Sequence, residues 1–294
     1  MEKLLKGCGT ALATPFRNGA VDFDSYKKLV RRQAEAGIHF LVPLGSTAET
    51  PCLSDEEKVE LLRITREEFP SKPVVVGAGS NSLDATVKTI RLLEPLDPDA
   101  FLIVVPFYNK PTQEGLYEYF SAVAASTSKP IVMYNVPGRT GTNMKVATAL
   151  KLAHEVKNII AVKEASGDLK QIERIIAGAP SDFSVLSGND DQTFPIMACG
   201  GDGVISVASN VAPSQMVSFV NAALSGDWEK AREWNYRLLD LFDNCFVESN
   251  PIPVKAGLAA LSLCSAQMRL PLTEASEQTK EIMKATLDVL NVKL

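Results

Sequence analysis

Apolar residues recur along the chain in short, nearly continuous runs: Gly9 to Thr14, Phe40 to Leu44, Pro73 to Gly77, Phe101 to Val105, Ile131 to Asn135, Ile159 to Lys163, Phe183 to Ser187 and Gly203 to Val207. Runs of this kind, bounded by turn residues and without strict alternation, suit strands buried on both faces, as in a parallel sheet covered by helices. Between them apolar positions fall on one helical face. Ser54 with Glu57 predicts a capping box ahead of Val59, Leu62 and Phe69, and Asp168 predicts a cap ahead of Leu169, Ile172, Ile175 and Ile176. Eight such units with right-handed crossovers close most simply into an α/β fold, a (β/α)8 TIM barrel. The pattern assigns residues 1–223 to this barrel and 224–294 to a helical appendage on its outside, with amphipathic runs over Trp228–Val247, Pro253–Leu263 and Glu274–Leu290. An open doubly wound sheet is the alternative, but it usually carries a Gly-rich fingerprint after its first strand, and Thr14-Pro15-Phe16-Arg17-Asn18-Gly19 is not one.

Composition narrows the chemistry. The chain has 294 residues, room for a barrel of about 250 with an appendage, although two equal domains also fit. Its 30 basic residues are scattered and the net charge is −5, so no basic stripe offers a nucleic-acid footprint. No apolar run approaches membrane-span length. The five cysteines show neither a C-x-x-C pair nor the density of a disulfide scaffold, and Met1 to Gly7 lacks the apolar core of a signal peptide. A cytoplasmic chain with reduced thiols is expected. The two histidines, His39 and His154, have no partner at ligand spacing, and no G-x-S-x-G elbow occurs. Neither a His-ligated metal nor a serine triad is expected; catalysis should run on Lys, Tyr, Thr and carboxylates.

In such barrels chemistry collects where strands end on the carboxyl face. The second strand runs into Gly45-Ser46-Thr47-Ala48-Glu49, which reads either as a turn capped by hydroxyls or as part of a site. The fifth runs into Tyr134-Asn135-Val136-Pro137-Gly138-Arg139-Thr140, where a core-edge tyrosine and a solvated arginine are the plain alternative. The sixth ends in Lys163 after a wholly apolar run. Burial disfavours a lysine's charged form and frees the amine to attack a carbonyl, unless Glu164 or another carboxylate simply pairs with it. After strands seven and eight, Ser187-Gly188-Asn189-Asp190-Asp191 and Gly200-Gly201-Asp202-Gly203 let a ligand approach backbone closely. With no Lys or Arg beside them, a carboxylate-sized ligand or simple turn chemistry is preferred over a phosphate. Lys163, Tyr134 and Thr47 would then share one mouth, an arrangement suited to a Schiff base with a keto acid and a hydroxyl proton relay.

At these residues the chain resembles the dihydrodipicolinate synthases, a branch of the class I pyruvate-dependent aldolase and N-acetylneuraminate lyase superfamily. The resemblance is carried by Gly9 to Phe16, by Gly45 to Glu49, by Val162-Lys163-Glu164-Ala165-Ser166-Gly167-Asp168 and by Ser249-Asn250-Pro251-Ile252-Pro253-Val254-Lys255. Pro106-Phe107-Tyr108-Asn109-Lys110-Pro111 and Gly138-Arg139-Thr140 favour the synthases over the sialic-acid lyases and sugar-acid aldolases. One departure stands in the hydroxyl loop, where Ala48 replaces the family's glycine; if that position needs positive φ, the loop must rearrange.

The resemblance implies condensation of pyruvate with L-aspartate-4-semialdehyde, with no cofactor beyond the covalent imine on Lys163. It implies Tyr134, hydrogen-bonded to Thr47, as proton carrier and Tyr108 as a third relay member donated across an interface of a homotetramer. Pyruvate's carboxylate would rest on the N–H groups of Ser46 and Thr47, with Gly188, the Ile205 backbone and Asn250 nearby, and Arg139 would hold the semialdehyde's carboxylate bidentately. The alternatives are a pyruvate-dependent sugar-acid aldolase and a catalytically silent barrel that binds a keto acid. Where lysine-inhibited relatives hold their effector, this chain has Asn81 but Ala85, Phe107, Asp55 and Lys58, with Asp84 one residue off register, so weak or absent inhibition by lysine is expected.

Overall fold

The computed structural model of the chain describes residues 3–292, so Met1 and Glu2 of the N-terminal reading lie outside the described residues. The eight apolar runs form β1 (Gly7–Ala11), β2 (Phe40–Val42), β3 (Val75–Gly77), β4 (Ala100–Val104), β5 (Ile131–Asn135), β6 (Ile159–Glu164), β7 (Ser184–Ser187) and β8 (Gly203–Ser206). All pair in parallel, in the order β2-β1-β8-β7-β6-β5-β4-β3. The ring is closed between β2 and β3 by the parallel bridge Leu41–Val74 and by the Gly77 N–H donating to Pro43 O at 2.9 Å.

Each strand is followed by its covering helix: α1 (Phe23–Glu35), α2 (Asp55–Glu68), α3 (Leu83–Leu93), α4 (Gln113–Ala125), α5 (Val146–Glu155), α6 (Leu169–Gly178), α7 (Thr193–Ala198) and α8 (Pro213–Leu224). The expected caps are in place. The Ser54 hydroxyl accepts from the Glu57 N–H at 3.2 Å while Glu57 Oε2 accepts from the Ser54 N–H at 2.9 Å, and Asp168 Oδ1 accepts from the Gln171 N–H at 3.1 Å.

Three further helices follow, α9 (Trp228–Asn244), α10 (Ile252–Ala260) and α11 (Glu277–Val289). They are shorter than periodicity alone predicts. At α11 the reason is local: the Ser276 hydroxyl accepts from the Thr279 N–H at 3.3 Å, so the helix begins at Glu277 and not at Glu274. A two-residue hairpin, Phe16–Arg17 against Ala20–Val21, was not expected. Its turn is Asn18-Gly19 at φ 53° and 82°, the pair that a type I′ turn selects.

The core has two layers separated by the sheet. Ala100, Leu102, Val132, Tyr134, Ala161, Leu186 and Ile205 fill the barrel interior, whereas Ile131, Met133 and Val162 face the helices. Successive strand residues alternate faces, so Lys163 shares the interior side with Ala161 while Glu164 turns outward. There Glu164 accepts from Asn135 Nδ2 at 3.1 Å and from the Ser166 N–H at 2.8 Å. The plain reading of Lys163 as a structural partner of Glu164 therefore fails on geometry. Among the described residues no helix is long and apolar enough to cross a membrane.

Candidate active site

The parallel register of β5 and β6 sets Tyr134 opposite Lys163. Both side chains rise from the last interior layer into a cavity at the carboxyl end of the barrel, where Lys163 Nζ stands 4.3 Å from the centre of the Tyr134 ring. Lys163 is 5% exposed and Tyr134 7%. Burial pulls the Lys163 amine down to about 8, helped by the positive charge of Arg139 and opposed by Asp190. The same burial pushes the Tyr134 phenol up, while Arg139 and the Ser46 hydroxyl pull it back. A lysine in this state holds a substantial neutral fraction near physiological pH, the form that attacks carbonyls.

Gly188 completes the lysine's surroundings. A Cβ there would stand 3.1 Å from Lys163 Cε and 2.7 Å from Ala165 Cβ, so only glycine lets the β7 loop close against the amine's stem. Two residues on, Asp190 is buried, with one oxygen accepting from the Val207 and Ala208 N–H groups at 2.9 and 3.0 Å. Its Oδ1 is buried without a hydrogen-bond partner among the described residues, although the nearby Ser206 hydroxyl offsets part of the burial that pushes the carboxyl up.

Opposite the lysine, residues Ser46–Ala48 form a single 3-10 turn after β2. The N–H groups of Ser46 and Thr47 donate to no backbone carbonyl among the described residues. Thr47's hydroxyl accepts from Asn250 Nδ2 at 3.0 Å, and the Asn250 carbonyl accepts from Arg139 Nη2 at 3.3 Å. Asn250 Oδ1 is buried without a partner among the described residues. Arg139 sits on the exposed helical turn Pro137–Thr140 and lines the same cavity. Two free N–H donors, a guanidinium and a neutralisable amine thus converge where a small keto acid would fit.

The model of the Dihydrodipicolinate synthetase family matches residues 4–290. The chain belongs to that family. It is 48% identical over 288 residues to the 4-hydroxy-tetrahydrodipicolinate synthase of Thermotoga neapolitana, covering 97% of this chain and 98% of the relative. The crystal structure of the Thermotoga maritima dihydrodipicolinate synthase superposes with a TM-score of 0.97 at 46% identity, covering 98% and 99% of the two chains. The chloride-inhibited synthase of Acinetobacter baumannii, solved as a complex with pyruvate, matches with a TM-score of 0.95 at 36% identity over 98% and 99%.

Within this member of the dihydrodipicolinate synthetase family, seven of the expected site residues border one cavity: Lys163, Tyr134, Ser46, Thr47, Arg139, Gly188 and Asn250. Tyr108 does not. It lies in the loop after β4 with φ 71°, 88% exposed. Ile205 belongs to the interior layer below, and Val207 lines the cavity in its stead. The expected bond between Tyr134 and Thr47 is not formed among the described residues: Thr47's hydroxyl is held by Asn250, and the hydroxyl that pulls on the Tyr134 phenol is that of Ser46. Ala48 needs no rearrangement: left-handed backbone falls on Leu44 (φ 58°) and Glu49 (φ 54°), and Ala48 is an ordinary, buried member of the turn.

Asn189, Val207 and Phe246 also line the cavity and were missed. Asn189 and Val207 border runs already marked as strand ends, so position alone could have nominated them. Phe246 lies just beyond α9, in a segment read as outer helix, and nothing local marks it.

Proposed function

We propose that this protein condenses pyruvate with L-aspartate-4-semialdehyde to give 4-hydroxy-tetrahydrodipicolinate, the lyase step that commits carbon to diaminopimelate and lysine. The observation that carries this reading is the Lys163 amine, out of water, without a salt-bridge partner among the described residues, and facing Tyr134 in one cavity with Arg139. Family membership and the synthase names of its relatives support it.

The neutral Lys163 amine attacks the ketone carbon of pyruvate, and loss of one water leaves the protonated imine. The methyl group beside it gives up a proton, forming an enamine whose carbon attacks the semialdehyde's carbonyl carbon. The substrate's own amine then adds to the imine carbon and expels Lys163, closing the ring. Tyr134 carries protons at the ketone oxygen and the new hydroxyl. Pyruvate's carboxylate sits on the Ser46 and Thr47 N–H groups, beside Gly188 and Asn250; Arg139's planar fork takes the semialdehyde carboxylate. The imine serves as electron sink, so no added cofactor enters the scheme.

Tyr108, exposed on a left-handed backbone, suits donation into the mouth of a second copy, and we take the working assembly to be a cytoplasmic homotetramer. Residues 1–223 serve as the catalytic barrel and 224–294 as a helical region that also furnishes Asn250. Borohydride added with pyruvate should trap a covalent adduct on the peptide containing Lys163. Intact mass without an adduct, or an adduct on Lys110 or Lys255, overturns the assignment, and faster turnover with sugar aldehydes than with aspartate semialdehyde overturns the second substrate.

A further inference from the structure

Beneath the Ser46-Thr47 turn lies an ion pair that the condensation does not use. Lys255 Nζ donates to Glu49 Oε1 at 2.8 Å, with side-chain exposures of 1% and 0%. Glu49 closes the turn, whereas Lys255 comes from α10 in the C-terminal region. The second oxygen, Glu49 Oε2, accepts from the Arg269 N–H at 3.1 Å. Arg269 in turn donates to Glu57 on α2 and to the Cys52 carbonyl at 2.7 Å, and both cations lie over the Phe16 ring, at 4.2 and 4.6 Å.

Two facts give this pair a direction. Glu49 has φ 54° and ψ 36°, left-handed backbone that a residue with a Cβ avoids unless its surroundings hold it there. Asn250, five positions before Lys255, grips the Thr47 hydroxyl at 3.0 Å, so one C-terminal segment holds the turn from the mouth side and from below. A buried ion pair is a poor source of stability, because desolvation of both charges offsets their attraction and an apolar pair of equal volume does as well. What it adds over an apolar contact is orientation, through two donors fixed on one carboxylate.

We propose that Lys255 and Glu49 are positioning residues that lock the Ser46-Thr47 turn in the orientation in which its free N–H groups receive a keto-acid carboxylate, so that the C-terminal helical region sets affinity for pyruvate. This rests on the pyruvate reading given above. The pair touches no reacting atom; it acts through the peptide that follows Thr47. The turn is therefore ordered before substrate arrives.

The test is steady-state kinetics of the full-length double variant Glu49→Gln with Lys255→Met, which removes both charges and leaves neither buried alone. Pyruvate KM is expected to rise about tenfold or more, while kcat at saturating pyruvate and KM for aspartate semialdehyde change by no more than about threefold. A pyruvate KM within about twofold of the parent, or equal rises in both KM values, overturns the proposal. Hydrogen–deuterium exchange on the unsubstituted chain needs no variant: slow exchange at the bonded amides of Ala48, Glu49 and Cys52 without pyruvate is expected, and protection of these amides that appears only with pyruvate overturns it. Borohydride trapping of the parent separates the two ideas. No adduct on Lys163 removes the pyruvate reading, whereas a parental adduct with parental KM in the double variant removes only the positioning role.

Discussion

Lys163 at the barrel mouth and Lys255 beneath the hydroxyl turn are both lysines out of water, at 5% and 0% exposure. Burial pushes both amines down from the ordinary lysine range. At Lys255 a carboxylate 2.8 Å away opposes that push, so the charge is kept and used to hold a loop. At Lys163 the opposing carboxylate, Asp190, spends one oxygen on two backbone N–H groups and makes no salt bridge with the amine, and Arg139 adds to the push. The difference between a nucleophile and a tether is thus set by where the nearest carboxylate is anchored, and not by burial itself.

The comparison breaks most visibly at Lys163. Lys163→Met should reduce turnover to background, yet raise thermal stability at neutral pH, the opposite of the usual cost of a core substitution. The sign follows from proton linkage. The folded amine titrates at about 8 and the unfolded one near 10.5, so the unfolded chain binds more protons between those values and stability rises with pH across that window. Below about pH 8 the full penalty applies, roughly 3 kcal/mol at about 1.4 per unit. Melting of the two chains at pH 7 and pH 10 checks this: the variant's advantage should shrink at the higher pH, and a variant less stable at both would contradict it.

Lys255→Met should do the reverse. It strands Glu49 as a lone buried charge and is expected to cost about 3–5 kcal/mol, read as a lower denaturant midpoint. Equal destabilisation by the two methionine variants would erase the distinction. Tyr134→Phe keeps the ring against Lys163 and removes the proton carrier, so kcat should fall by about 10² to 10⁴ with less change in pyruvate KM. Smallest of all is the response to L-lysine. Lys58 is paired with Asp55 at 3.1 Å and Phe107 offers no hydroxyl in the stretch expected to face such an effector, so low-millimolar L-lysine should inhibit weakly or not at all.

How much of this was legible beforehand depends on the range of the contact. The eight strands were readable because continuous apolar runs are a local property, and Lys163 stood out because it ends one of them. The Ser54 and Asp168 caps were readable for the same reason, each lying within three residues of its partner. Alternation along β6 then decides which face Lys163 takes, a step that needs only the strand's period of two.

Other features required the chain to meet itself. Thr47 and Asn250 are 203 positions apart, Glu49 and Lys255 are 206, and no periodicity encodes which distant faces come together. The segment after residue 224 read as an outer covering because its pattern is amphipathic, and amphipathicity states that one face is buried without stating against what. The sequence alone determined a βα rhythm, a lysine with no apolar reason to be where it is, and hydroxyls at the ends of the second and fifth strands. Only the tertiary structure decided that Thr47 answers to Asn250 and not to Tyr134, that the left-handed residue of the loop is Glu49 and not Ala48, and that a helix expected outside reaches under the mouth, because each of these depends on long-range packing, which local sequence pattern does not carry.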